Sequence, residues 1–125
     1  MKFSSTSIKG YGTGKKLGFP TINLHIPPEL VVGLVDGVYA VWATVDKERY
    51  AGAMHFGPIP TFGQTEKSLQ VHLINALYVS VNEGDEVECE IVKYVRPVMN
   101  FGSPELLVQQ LIKDEEAVKN VLHIV

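Results

Sequence analysis

The chain is poor in cysteine. Cys89 stands alone among 125 residues, so neither an intrachain disulfide nor a cysteine-built zinc site can form. Positive charge is also scarce, with 11 Lys and Arg against 14 Asp and Glu and a net charge of −3. Without a basic excess, a long nucleic-acid footprint is disfavoured, although a local basic pocket for one nucleotide stays compatible. No apolar run reaches the ~18–20 residues of a membrane span, and Met1–Gly10 carries no signal-peptide core. These absences predict a cytoplasmic protein with neither nucleic acid nor membrane as partner; a monomer is the separate expectation. Apolar residues make up 46% and charged residues 20%, which excludes wholesale disorder. The length predicts one domain, residues 1–125.

Glycine and proline divide the chain into three zones. From Gly10 to Gly37 breakers are dense, including Gly12, Gly14, Gly18, Pro20, Pro27, Pro28 and Gly33. This predicts loops with at most a short strand, and long loops in small domains are usually functional. From Val38 to Val95 the pattern is that of strands. Val38–Val45 is rich in β-formers, Asp46–Glu48 is a polar turn, and Tyr50–Phe56 returns as a hairpin partner. Leu69, Val71 and Leu73 alternate with Gln70, His72 and Ile74. Val87, Cys89 and Ile91 alternate with Glu86, Glu88 and Glu90, so one face is buried and one wet. Phe3–Lys9 is a candidate extra strand, and Asn82–Gly84 a turn. The third zone is helical. Ser103 is placed as N-cap, Pro104 at the first helical position, and Leu107, Leu111, Val118 and Leu122 on one stripe. Asp114 reads as a solvated or capping residue off that stripe. Strands followed by one helix predict a compact antiparallel sheet or barrel with the helix packed outside.

The densest chemical signal is the segment Gly10 to Asn23. Alternate glycines at Gly10, Gly12 and Gly14 let backbone N–H groups approach an anion, and Lys15 and Lys16 add point charge for a phosphate. A cluster like this also describes an ordinary turn. It is not a P-loop, because the Gly-Lys-Ser/Thr ending is missing. Thr21 and Asn23 lie two apart, so an extended backbone presents both side chains on one side. A hydroxyl and an amide oxygen are hard, neutral ligands suited to Mg²⁺ that keeps waters and phosphate oxygens. The bland alternative is that Thr21 caps a turn and Asn23 fills a loop.

At these residues the chain resembles a known family. Leu17-Gly-Phe-Pro-Thr-Ile-Asn23 is similar to the Leu-Gly-Phe-Pro-Thr-Ala-Asn signature of riboflavin kinases. Gly37-Val-Tyr-Ala40, Gly57-Pro-Ile-Pro-Thr-Phe62, Ser68-Leu-Gln-Val-His-Leu73 and Arg96-Pro-Val-Met-Asn-Phe101 resemble further family segments in the same order. The resemblance implies a mainly β fold, a six-stranded antiparallel Greek-key barrel with a C-terminal α-helix. It implies ATP-dependent phosphorylation of riboflavin to FMN at the ribityl 5′-hydroxyl, with Mg²⁺ as cofactor and riboflavin, FMN, ATP and ADP as ligands.

By the same resemblance, Gly10, Gly12, Gly14, Lys15, Lys16, Thr21, Leu73 and Asn75 fall at the nucleotide. Thr21 and Asn23 hold the metal, and Arg96, Asn100 and Phe101 receive the flavin. Gln70 occupies the place of the family's catalytic glutamate. A glutamine cannot take the proton of the 5′-hydroxyl, but it can orient that group by a hydrogen bond. Asn75 stands where bacterial members carry aspartate, and Thr13 and Met99 stand at positions often basic in relatives. Two alternatives therefore accompany the kinase: a flavin- or nucleotide-binding protein that kept the barrel and lost turnover, and a bare interaction barrel. The metal pair and the glycines disfavour the last. His72 reads as structural or as a neighbour of the nucleotide, Tyr39 and Trp42 as barrel packing, and Cys89 as a buried, inert thiol.

Overall fold

A computed structural model of the chain describes residues 1–9, 20–76 and 81–125. The described strands are β1 (Lys2–Ile8), β2 (Thr21–Leu24), β3 (Gly37–Val45), β4 (Glu48–Gly57), β5 (Ser68–Ile74) and β6 (Glu86–Arg96). They close into a barrel in the order β1-β2-β5-β4-β3-β6, with β6 returning to β1 and every pair antiparallel. This is the antiparallel barrel expected above. Phe3 to Ile8 does form a strand, and β3 and β4 form the hairpin, with Asp46 and Lys47 at φ 50° and 68° in its turn. Two consecutive positive φ values suit the right-handed twist of the flanking strands.

Alternation sorts each strand into two faces. Leu24, Val41, Met54, Phe56, Leu69, Val71, Val87 and Cys89 point inward and form the interior core. Full burial pushes the Cys89 thiol up to about 12, so it stays protonated. The outer face of β3 and β4, together with Ile74 at the end of β5, is buried too, because a helix covers it. That helix, α2, runs Pro104–Leu122 and comes after a shorter helix, α1 (Pro28–Gly33). Ser103 accepts the Leu106 N–H at 3.3 Å as N-cap, and Pro104 opens the first turn, as the sequence implies. Val118 and Leu122 of α2 pack on Val38, Ala40, Ala51, Ala53 and Ile74. The small alanines let the helix lie close, and each buried leucine contributes about 1.5–3 kcal/mol.

Two expectations need correction. The breaker-rich stretch before β3 holds α1, where only loops and a short strand were expected; Pro28 starts it, Glu29 lies in its first turn, and the fully buried Leu30 anchors it in the interior core. Asp114 is neither solvated nor a cap. It lies on the buried stripe of α2 and is 2% exposed. Among the described residues no helix is long and apolar enough to cross a membrane.

Candidate functional site

The outer face of the barrel, where α2 leaves it uncovered, carries the polar groups. Strand register fixes which ones meet. Asn23 of β2 pairs with Gln70 of β5, Gln70 with His55 of β4, His55 with Val38 of β3, and Val38 with Arg96 of β6. One row of the sheet therefore runs Asn23, Gln70, His55, Val38, Arg96. The next row places Thr21 beside His72 and His72 beside Ala53. Paired residues on neighbouring antiparallel strands share a face, with Cβ atoms about 4.5–5.5 Å apart.

Arg96 reaches its place through an irregular stretch of β6. Register shifts separate Val38 from Tyr39 and Ala40 from Val41 along the β3–β6 ladder. Gly37 permits the close approach, since a Cβ there would lie 2.6 Å from the Tyr94 ring and 2.7 Å from the Arg96 carbonyl oxygen. The Arg96 guanidinium donates from Nε to Asp114 Oδ1 and from Nη2 to Asp114 Oδ2, both at 2.8 Å. Gln110 Nε2 donates to the same carboxylate at 3.0 Å. A planar bidentate pair of this kind is the strong form of the interaction. The guanidinium also lies 5.4 Å from the centre of the Phe101 ring. The Phe101 N–H donates to Thr61 Oγ1 at 3.1 Å, tying the segment after β6 to the 3₁₀ turn Pro60–Phe62.

Between these parts lies a cleft of about 590 Å³, including its open mouth. Its floor is Gln70, His72, His55, Ala53 and Val38; its walls are Arg96, Met99 and Phe101 on one side, Ile59 to Phe62 on another, and Leu107, Leu111 and Asp114 of α2. The lining mixes apolar walls with a few convergent polar groups, which is the usual make-up of a small-molecule site.

Burial favours the neutral form of both histidines. Burial pushes His72 down to about 4, with His55 nearby adding to the shift. Its Nδ1 shares a hydrogen bond of 2.7 Å with Thr21 Oγ1. His55 is also lowered, chiefly by burial, against the opposing effect of the Gly57 and Pro58 carbonyls. Its Nε2 lies 3.0 Å from each of those two carbonyl oxygens.

Of the residues singled out in the sequence, Gln70, Arg96 and Phe101 line this cleft. Thr21 touches its floor through His72, and Asn23 lies beside Gln70, facing an adjoining groove that also includes Lys9, Lys67 and Ser68. Asn100 is exposed and accepts the Gly102 N–H through Oδ1 at 2.9 Å. Leu73 faces the barrel interior, and its main-chain N–H donates to the Pro20 carbonyl at 2.9 Å. Asn75 lies past the end of β5 and donates from Nδ2 to the Val125 carbonyl at 2.8 Å. Gly10, Gly12, Gly14, Lys15 and Lys16 lie outside the described residues. Two site groups escaped the sequence reading. Asp114 had a signal, an acid at i+3 from Leu111 and four before Val118 on an otherwise apolar stripe. His55 had none, because only strand register places it beside Gln70.

Comparisons with known proteins show what the chain is similar to. The riboflavin kinase profile (Flavokinase) matches residues 1–122. The RNA-binding riboflavin kinase RibR of Bacillus subtilis is 38% identical over 112 residues, covering 89% of this chain and 46% of that protein. Riboflavin kinase of Homo sapiens is 30% identical over 121 residues, covering 94% of this chain and 77% of that protein. The chain therefore spans less than half the length of the bacterial relative and about three quarters of the human one. The crystal structure of riboflavin kinase from Trypanosoma brucei superposes with a TM-score of 0.71 at 19% identity, over 98% of this chain and 79% of that one. With its profile matched almost end to end, its barrel shared and its relatives so named, the chain belongs to the riboflavin kinase family.

Proposed function

We propose that this chain, as a single domain, transfers the γ-phosphoryl group of ATP to the ribityl 5′-hydroxyl of riboflavin, giving FMN and ADP, with Mg²⁺ as the metal. The observation that carries the proposal is the register of β2 on β5. It sets the two hard oxygen donors, Thr21 and Asn23, directly beside His72 and Gln70 on the cleft floor.

Thr21 and Asn23 suit the cation. Both are on the outer face of β2, half-buried, with neutral oxygens two residues apart. Such a pair leaves most of an octahedral shell to water and phosphate. A neutral His72 fits as well: its Nδ1 can accept the Thr21 hydroxyl proton, which leaves the oxygen's lone pairs for the metal. Bound there, Mg²⁺ supplies charge neutralisation for the moving phosphoryl group. The chain's own residues do the rest. Phe101 and the apolar walls receive the flavin, with Arg96 held in place by Asp114 and Asn100 in the segment between. The Gln70 amide, 4% exposed at the cleft floor, hydrogen-bonds the 5′-hydroxyl and aims it. Gly10, Gly12, Gly14, Lys15 and Lys16 are assigned to the ATP phosphates on sequence grounds alone, as are the main chain of Leu73 and the amide of Asn75 to the nucleotide.

A carboxamide at position 70 favours a second reading, a flavin- and nucleotide-binding protein without turnover. FMN formation from riboflavin and Mg-ATP, measured for the wild type beside Gln70→Glu, separates the two. Turnover by the wild type supports the kinase. Calorimetric binding of FMN in the presence of Mg-ADP, with no turnover in either protein, supports the second reading. No heat from either ligand rejects both.

A further inference from the structure

We propose that His55 is the proton acceptor for the phosphorylated hydroxyl, taking over the role that Gln70 cannot perform. The inference rests on the kinase reading above and names a catalytic group within it.

The geometry begins with tautomer. The two groups facing His55 Nε2, at 3.0 Å each, are the carbonyl oxygens of Gly57 and Pro58. Carbonyl oxygens only accept, so Nε2 carries the hydrogen and donates it, bifurcated, to both. In a neutral ring Nδ1 is then the lone-pair nitrogen. Among the described residues Nδ1 has no hydrogen-bond partner and is not sealed from solvent. The Gly57 carbonyl is set by a backbone at φ +132°, where a Cβ would come within 3.1 Å of Val98 and Asp36. A side chain there is strained, so the orienting carbonyl is favoured by the glycine in the glycine-proline turn after β4.

Place follows from register. His55 is the direct partner of Gln70 across β4 and β5, and both line the cleft. A hydroxyl aimed by the Gln70 amide lies one cross-strand spacing from the His55 ring. His72, the other histidine on the floor, is not available in the same way, because its Nδ1 is engaged with Thr21. The arrangement repeats the logic of an activated nucleophile: a hydroxyl, a base, and a third group that fixes the base's orientation.

The step balances. The 5′ oxygen forms its bond to the γ-phosphorus, the bond from that phosphorus to the β-γ bridging oxygen breaks, and ADP leaves. The hydroxyl proton passes to Nδ1, giving an imidazolium whose Nε2–H still faces two carbonyls. Water then removes the proton. The charged groups acting on His55 oppose one another: Arg96 disfavours the imidazolium and Asp36 favours it, while neutral His72 lies on the adjacent strand and Asp114 faces the cleft from α2.

The test uses the full chain and four variants, with FMN formation from riboflavin and Mg-ATP as the assay. His55→Gln keeps a donor near the two carbonyls and removes the proton acceptor. Its kcat is expected to fall by about 10²–10⁴-fold, the usual size of general-base help, with KM for riboflavin near the wild-type value. The double variant His55→Gln/Gln70→Glu is expected to regain rate, because a carboxylate returns one strand away. Imidazole added to His55→Ala is expected to restore part of the rate, which repacking alone would not do. Wild-type kcat should fall as pH drops through a value below 6.5, the ordinary histidine value. An unchanged kcat in His55→Gln, or a wild-type kcat flat across the range where histidines titrate, overturns the assignment. Turnover by Gln70→Glu but not by wild type overturns it too, while the barrel keeps its kinase architecture. If neither protein makes FMN, the kinase reading itself fails.

Discussion

Asp114 closes both carboxylate oxygens on the Arg96 guanidinium, at 2.8 Å each, and is 2% exposed. Eighteen residues separate the two along the chain. The pair joins the end of β6 to the middle of α2 at the wall of the cleft.

Breaking this pair by Asp114→Ala leaves a largely buried guanidinium without its counter-charge. Loss of one partner from a buried pair costs about 3–5 kcal/mol. The unfolding free energy from urea denaturation is expected to fall by that amount, through a lower midpoint at an unchanged slope, because the surface exposed on unfolding stays the same. An unchanged midpoint contradicts the structural role of the pair. Arg96 and Phe101 are proposed to receive the flavin, so KM for riboflavin should rise in the same variant.

The Thr21–His72 contact leads to a second expectation. In His72→Phe the hydroxyl of Thr21 loses the partner that orients it, and groups of this kind typically cost 10–100-fold, roughly, in metal affinity when removed. The Mg²⁺ concentration giving half-maximal rate should rise accordingly, and Thr21→Val should raise it at least as far. Equal Mg²⁺ dependence in all three proteins contradicts the placement of the metal.

Acid should destabilise the metal-free protein. His55 and His72 are both lowered by burial, His72 to about 4, while the unfolded chain titrates near 6.5. Between those values the unfolded state binds more protons, so stability is full above 6.5 and is lost as pH falls towards 4. Arg96 pushes in the same direction, and Asp36 and Asp114 oppose it. For His72 alone the loss is on the order of 3 kcal/mol, from 1.36 kcal/mol per unit. Urea denaturation from pH 7.5 down to 4.5 measures it, with His72→Phe expected to flatten the curve.

The sequence made the barrel legible because alternation is local. Val87, Cys89 and Ile91 against three glutamates already marks an inner and an outer face, and Ser103-Pro104 already marks a helix start. The short helix α1 was hidden by its own Pro27-Pro28, read as breakers when the second is a favoured first helical residue. The site was half legible. Thr21, Asn23, Gln70, Arg96 and Phe101 sit in motifs whose order the chain keeps. Asp114 and His55 gain their partners from contacts across strands and helix, which for His55 no local pattern encodes. Asp114 illustrates the difference: its charge argued for solvent, while its spacing on the stripe of α2 put it in the core.

The most direct measurement is a single-turnover experiment with excess wild-type protein, riboflavin and γ-³²P-labelled ATP in the presence of Mg²⁺. Label appearing in FMN, at a rate that falls when His55 is replaced by glutamine and returns when Gln70 is then replaced by glutamate, is the predicted result. Label remaining wholly in ATP or inorganic phosphate, for wild type and both variants alike, would contradict the account.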